Sequence, residues 1–341
     1  MSGFHTCFYI SFPEPSTPPK TSTPITDSWQ VIHIAYLPST STTRQLTIHW
    51  ASPSDMRLGF LGLGVMGTPM ARNLAKKYPV MAWNRSPAKY ASFKQTDAVS
   101  FAETPVKVVQ SSDIIFVMLF NAPAIQSILT TDFKRALSDK VLVNTSSVSV
   151  EFSEFLDQEI RKAGGQFVEM PVSGSKVPAE EGHLVGMMAG DPDLAKTIKP
   201  YVEPITRSAV YCGPIGSGLK TKYAINSLLI ALTVGLAESM NLAKAQGLDL
   251  EAFGKVVAAS PMASAYSHIK VSKMLSQDWS PQASLKDCYN STQLIQSAAI
   301  SANVKSPLMD VCGNLYAQAM ESALGEEDMI AIAKQIGDRE G

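Results

Sequence analysis

From Met56 onward, short apolar runs of strand length punctuate the chain. "RLGFLGLG", "PVMAWN", "DIIFVMLF" and "KVLVNTSS" are separated by polar or helix-periodic segments such as "TPMARNLAKKY". Continuous rather than alternating apolar residues mark strands buried on both faces. Strands alternating with helices predict right-handed βαβ units, hence an α/β doubly wound parallel sheet with helices on both sides. "QFVEMPVSG", "HLVGMMAG" and "SAVYCG" carry the strand-like runs to about Gly213. Beyond Gly216 the period changes. Residues 217–246 read as one long helix broken only by Gly235, and "LEAFGKVVAAS", "SLKDCYNSTQLIQSAAISA", "PLMDVCGNLYAQAMESAL" and "EEDMIAIAKQI" share helical periodicity. The expected organisation is an α/β domain over 56–216, then an interdomain helix and an all-α C-terminal domain over 217–341.

Residues 1–55 differ from the rest. "PEPSTPPKTSTPITDS" and "LPSTSTTRQ" are rich in Ser, Thr and Pro, a composition that buries too little apolar surface to offset ordering entropy. A disordered extension or a misplaced gene start is expected there. As a mitochondrial transit peptide the segment is poor, since its only arginine is Arg44, and a cytoplasmic protein is the expectation. Across 341 residues the formal net charge of −1 offers no field to gather nucleic acid or anionic lipid. Four scattered cysteines without C-x-x-C spacing suggest neither a disulfide framework nor a metal site. No uninterrupted apolar run reaches the length of a membrane span.

"GLGVMG" changes the picture. Gly62, Gly64 and Gly67 stand in G-x-G-x-x-G spacing between a predicted strand and a predicted helix. In that setting Gly62 permits a tight turn, Gly64 lets backbone approach a pyrophosphate, and Gly67 lets helix and strand pack closely. The helix N-terminus then offers amide donors and a favourable dipole to the phosphates. This is the signature of a Rossmann-like dinucleotide site, with Leu63, Val65 and Met66 in the same loop. NAD sites usually carry an acid at the end of the second strand, but here stand Asn84, Arg85 and Ser86. A 2′-phosphate repels a carboxylate and welcomes a guanidinium, so NADP(H) is preferred, with NAD(H) the alternative.

Two further segments carry candidate chemistry. Ser173-Gly174 closes a strand-like run, where a hydroxyl and an amide can hold a carboxylate, although Ser-Gly pairs are also ordinary turns. "GPIGSGLKTKYAIN" resembles a phosphate loop, but Leu219 pushes Lys220 and Thr221 one place late. As helix, Gly218, Lys222 and Asn226 share one face, with Gly218 expected to leave room for an approaching molecule. Lys220 points about 200° away. A lysine and an amide facing a cofactor suit carbonyl reduction, the lysine moving the proton and the asparagine holding the oxygen; a solvated lysine and a packing asparagine are the plainer alternative.

Together these segments resemble the β-hydroxyacid dehydrogenases, which include 3-hydroxyisobutyrate dehydrogenases and glyoxylate/succinic semialdehyde reductases. "GFLGLGVMGTPMARNL", "PVSG", "GPIGSGLKTKYAIN" and "SLKDC" match that family's motifs in order. The resemblance implies Lys222 and Asn226 as catalytic residues, with Ser173, Gly174 and Ser147 at the substrate. Ser146 and Lys286 would lie by the cofactor, Lys286 disfavouring the charged form of Lys222. It also implies a small carbonyl or hydroxy-acid substrate and a homodimer or homotetramer whose helical domain completes the site. Glu169, Ser175, Pro178 and His183 depart from the family pattern, and the resemblance places them beside the substrate. Imine reductases share the fold, but Lys222 stands where they have Asp or Tyr. A 6-phosphogluconate dehydrogenase needs a longer helical domain, and non-catalytic scaffold relatives lack the lysine.

Overall fold

The computed structural model describes residues 56–93 and 98–337, so the expectations for residues 1–55 lie outside the described residues. Among the described residues nine strands form one sheet: β1 (Leu58–Leu61), β2 (Val80–Trp83), β3 (Val99–Phe101), β4 (Ile114–Val117), β5 (Val141–Asn144), β6 (Gln166–Glu169), β7 (Val172–Ser173), β8 (Leu184–Gly190) and β9 (Thr206–Gly213). The order β3-β2-β1-β4-β5-β6 is parallel throughout, reversing direction of growth after β1 places the glycine loop at the switch point.

Burial explains the continuous apolar runs. In β4, Ile114 and Phe116 join the core on one face while Ile115 and Val117 join the core on the other, and all four are fully buried. The short edge strand β3 escaped the sequence reading because two of its three residues are exposed. The expectation of a parallel sheet holds up to β6. Thereafter β8 runs antiparallel to β6, β7 antiparallel to β8, and β9 parallel to β8. Only two residues separate β6 from β7, too few for the crossover that a parallel neighbour demands.

After β9 the chain is helical. The long helix Ser217–Ala245 packs on β8, β9 and the helices Leu285–Ser301 and Pro307–Glu321. By length and a mean hydropathy of 1.4 it passes for a membrane-crossing helix, although polar residues interrupt its apolar run. Its buried residues, from Leu219 to Ala243, belong instead to the protein's own core, while Ile225, Leu228, Leu232 and Leu242 are exposed.

Candidate active site

The glycine loop has the shape a dinucleotide requires. Gly62 sits at φ +105°, and a Cβ there would lie 2.2 Å from the Met118 carbonyl oxygen. A Cβ on Gly67 would lie 1.9 Å from the Gly62 carbonyl oxygen, so helix Gly67–Ala75 can approach the strand only with glycine. Gly64 is different: nothing lies within 4 Å of its would-be Cβ, and Gly64 and Val65 are exposed. The helix opens at Met66 without a side-chain cap; the Thr68 amide already donates to the Gly64 carbonyl at 3.1 Å and Pro69 has no N–H, so an incoming anion would meet the amides just before them. Asn84 holds the loop from β2, its Oδ1 accepting from the Leu63 amide at 2.9 Å. Its own backbone amide donates to the Tyr90 hydroxyl at 3.1 Å. Arg85 and Ser86 are exposed beside it, and the Arg85 guanidinium has no ion pair among the described residues. These residues fit a nicotinamide dinucleotide.

Beside this loop, which touches Met118 and Leu119, contacts between distant segments form a closed circuit. Ser146 is buried, its hydroxyl accepting from the Leu119 amide at 2.9 Å, and so ties the loop after β5 to the loop after β4. Ser147 follows half-buried. Val148 accepts from the Tyr223 hydroxyl at 2.5 Å, joining that loop to the long helix. Asn226 donates through Nδ2 to Ser291 Oγ at 3.4 Å, and Ser291 donates to the Asp287 carbonyl at 2.9 Å, reaching the helix that carries Lys286. Lys286 Nζ lies 5.1 Å from the Phe120 ring centre, which returns the circuit to the loop after β4. Sequence reasoning missed Tyr223, Ser291 and Phe120. Ser291 could have been noticed one turn beyond Asp287, whereas Phe120 and Tyr223 gain meaning only from their neighbours in space.

Lys222 and Asn226 lie one turn apart on the inner face of the long helix, each only 8% exposed. Burial lowers the Lys222 ammonium from its ordinary value to about 8. Burial in turn pushes the Cys288 thiol up to about 12, so it is neutral beside the lysine. The expected repulsion from Lys286 is not the cause: that side chain is 44% exposed and pairs with Glu326 at 3.4 Å. Asn226 Oδ1 is buried and unpartnered, an acceptor available to a bound molecule. Ser173, half-buried, and Gly174, at φ +132°, close β7 near the start of the same helix.

Two expectations are corrected. Gly218 leaves no room for a substrate: its would-be Cβ lies 2.4 Å from the Met187 carbonyl oxygen and 2.9 Å from Glu169 Oε1, so it is where the helix presses on the sheet. Glu169 does not face a substrate either, being fully buried beneath the first turn of that helix. His183 has an exposed side chain near Glu181, at 3.3 Å, and its amide donates to the Pro178 carbonyl at 2.7 Å. Pro178 does sit against Gly174, its Cβ 3.2 Å from where a Cβ on that glycine would be.

Two family models divide the chain: the NAD binding domain of 6-phosphogluconate dehydrogenase matches residues 57–213, and the NAD-binding domain of NADP-dependent 3-hydroxyisobutyrate dehydrogenase matches residues 216–336. The chain is 29% identical to the chloroplastic glyoxylate/succinic semialdehyde reductase 2 of Arabidopsis thaliana, over 82% of this chain and 79% of that protein. It is 33% identical to the mitochondrial 3-hydroxyisobutyrate dehydrogenase of Mus musculus, over 60% of this chain and 62% of that one. Among solved structures, a 3-hydroxyisobutyrate dehydrogenase from Salmonella typhimurium superposes with a TM-score of 0.77, covering 82% of this chain and 99% of that one at 20% identity. With a glycine loop shaped for a nicotinamide dinucleotide and a buried lysine–asparagine pair, the chain belongs to the β-hydroxyacid dehydrogenase family, NAD(P)-dependent dehydrogenases and reductases acting on CH–OH groups.

Proposed function

We propose that this protein uses NADPH to reduce a small aldehyde or keto acid to its hydroxy acid, with Lys222 as general acid. The observation that carries this reading is the burial of Lys222, which brings its ammonium to about 8 and keeps it protonated, yet ready to release its proton, near neutral pH. When bound, the nicotinamide supplies the hydride. The protein's own groups do the rest. The loop Gly62–Gly67 receives the pyrophosphate, and Arg85 and Ser86 receive the ribose 2′-phosphate. Ser146, which accepts from the Leu119 amide, and Lys286, which lies over the Phe120 ring, would hold the nicotinamide end of the cofactor. Ser173, the Gly174 amide and Ser147 orient the substrate carboxylate. Lys222 Nζ protonates the carbonyl oxygen as the alcohol forms, and Asn226 Oδ1, free because Nδ2 is engaged by Ser291, accepts the new hydroxyl. In the reverse direction the neutral lysine takes that proton back.

The names of the relatives support a short carboxylate-bearing carbonyl compound as substrate. Self-association as a homodimer or homotetramer belongs to the same reading, supported by the exposed apolar residues along the outer face of the long helix. Division of labour between a cofactor domain over 56–216 and a helical domain over 217–341 does too. Purified protein assayed with NADPH and NADH against glyoxylate, succinic semialdehyde, methylmalonate semialdehyde and larger ketones tests it. Faster oxidation of NADPH than NADH with one of these is the expected result. No oxidation across the panel, together with no cofactor binding, overturns the reading.

A further inference from the structure

The helix that presents Lys222 lacks a cap of its own. It starts at Gly216 in the left-handed region, φ +90°, with no side-chain hydrogen bond from that residue. Its first amides are instead satisfied from the sheet. Glu169 Oε2 accepts from the Gly216 amide at 3.0 Å and from Ser153 Oγ at 2.5 Å, while Oε1 accepts from the Leu219 amide at 2.9 Å. The carboxylate is fully buried, and its backbone is fixed between Asn144 of β5 and Ala189 of β8. A buried anion at a helix N-terminus is favoured by the amides and by the dipole together. Leu219 lies three residues before Lys222, and the chain beyond Glu169 leads within a few residues to Ser173 and Gly174.

We infer that Glu169 is a positioning residue: its carboxylate pins the start of the long helix to the sheet and thereby sets where Lys222 and Asn226 stand relative to Ser173 and the cofactor loop. This rests on the reading of Lys222 as the general acid, but the pinning itself is read independently of turnover. Charge and reach are both needed. A glutamine keeps one acceptor oxygen and turns its amide donors towards one of the two backbone N–H groups, that of Gly216 or that of Leu219. An aspartate keeps both oxygens but is one methylene shorter.

Full-length Glu169→Gln and Glu169→Asp are compared with the wild-type protein in three measurements. The first is the NADPH dissociation constant, expected within about twofold of wild type in both variants because the glycine loop is untouched. The second is pulse labelling of lysines by an amine acylating reagent, read by mass spectrometry, with the exposed Lys220 on the same helix as internal reference. Lys222 labelling relative to Lys220 is expected to rise at least threefold in Glu169→Gln and to return towards wild type in Glu169→Asp. The third is turnover, where kcat is expected to fall at least tenfold in Glu169→Gln with the KM for NADPH unchanged, and to recover in part in Glu169→Asp. Wild-type labelling of Lys222 in Glu169→Gln overturns the inference, whatever the substrate proves to be. So does a loss of NADPH binding together with a general rise in labelling, which marks a merely structural role. If Glu169→Gln does not fold, the labelling ratio in Ser153→Ala, which removes one of the three donors that hold the carboxylate, decides: a raised ratio is expected, and a wild-type ratio overturns the inference. An unreactive wild-type protein with a responding Lys222 leaves the pinning intact and refutes only the assigned reaction.

Discussion

Two glycine-rich turns lead into helices in this protein, and the fold uses them in opposite ways. The turn at Gly62–Gly67 leaves the end of its helix open: no side chain caps it, and the space around Gly64 is empty. The turn at Gly213–Gly218 has the more phosphate-like sequence, yet its helix end is stoppered by the Glu169 carboxylate and Gly218 is pressed onto the Met187 carbonyl. An anion arriving there would meet a buried negative charge. The difference teaches that glycine spacing before a helix describes only the backbone's freedom. Whether the freed amides face solvent or a carboxylate decides between an anion site and a structural joint.

The largest effect should come from removing the group that the second helix presents. Lys222→Ala is expected to lower kcat by about 10²–10⁴-fold, the usual range for a general acid, while NADPH still binds. Stopped-flow turnover and cofactor titration check this, and unchanged turnover would place the proton elsewhere. Matched alanines at the two turns sharpen the contrast. Gly218→Ala should cost about 1–3 kcal/mol through its clash with the Met187 carbonyl, seen as a lower melting temperature. Gly64→Ala should melt like wild type, because its Cβ enters open space, but bind cofactor more weakly. If the two substitutions behave alike, the distinction between an open and a stoppered turn fails.

A smaller effect is expected at the cofactor's ribose. Arg85→Ala should weaken NADPH by about tenfold, near 1.4 kcal/mol, and NADH hardly at all. Equal losses would remove Arg85 from the 2′-phosphate. The least disruptive test changes only pH. Reduction requires protonated Lys222, so its rate should fall as pH rises through about 8, whereas alcohol oxidation, which requires the neutral amine, should rise through the same range. A basic limb near the ordinary lysine value would mean that burial does not tune this group.

The cofactor half was legible in the sequence because its determinants are local. A run such as Ile114–Val117 is buried on both faces, so it reads as a strand at once, and three glycines within six residues make the loop without help from elsewhere. Even the lysine–asparagine pair could be placed on one helical face by spacing alone. The errors fall where side chains meet across long separations. Gly218 reads as clearance in the sequence because the atom it meets, the Met187 carbonyl oxygen, belongs to a strand about thirty residues away in the chain. Glu169 looked like a substrate residue because it precedes Ser173 in the chain, although its carboxylate turns the other way, to Gly216 and Leu219. The sequence offers Lys286 as the charge that lowers Lys222, but the physical cause is desolvation, which no sequence position records. Alternating strands and helices, the glycine loop and the residue types of the site follow from chain order alone, since periodicity and backbone freedom are properties of neighbouring residues. Which helix end stays open, which lysine is buried and which carboxylate holds the helix are settled by packing between distant segments, since these depend on what the rest of the chain excludes from water.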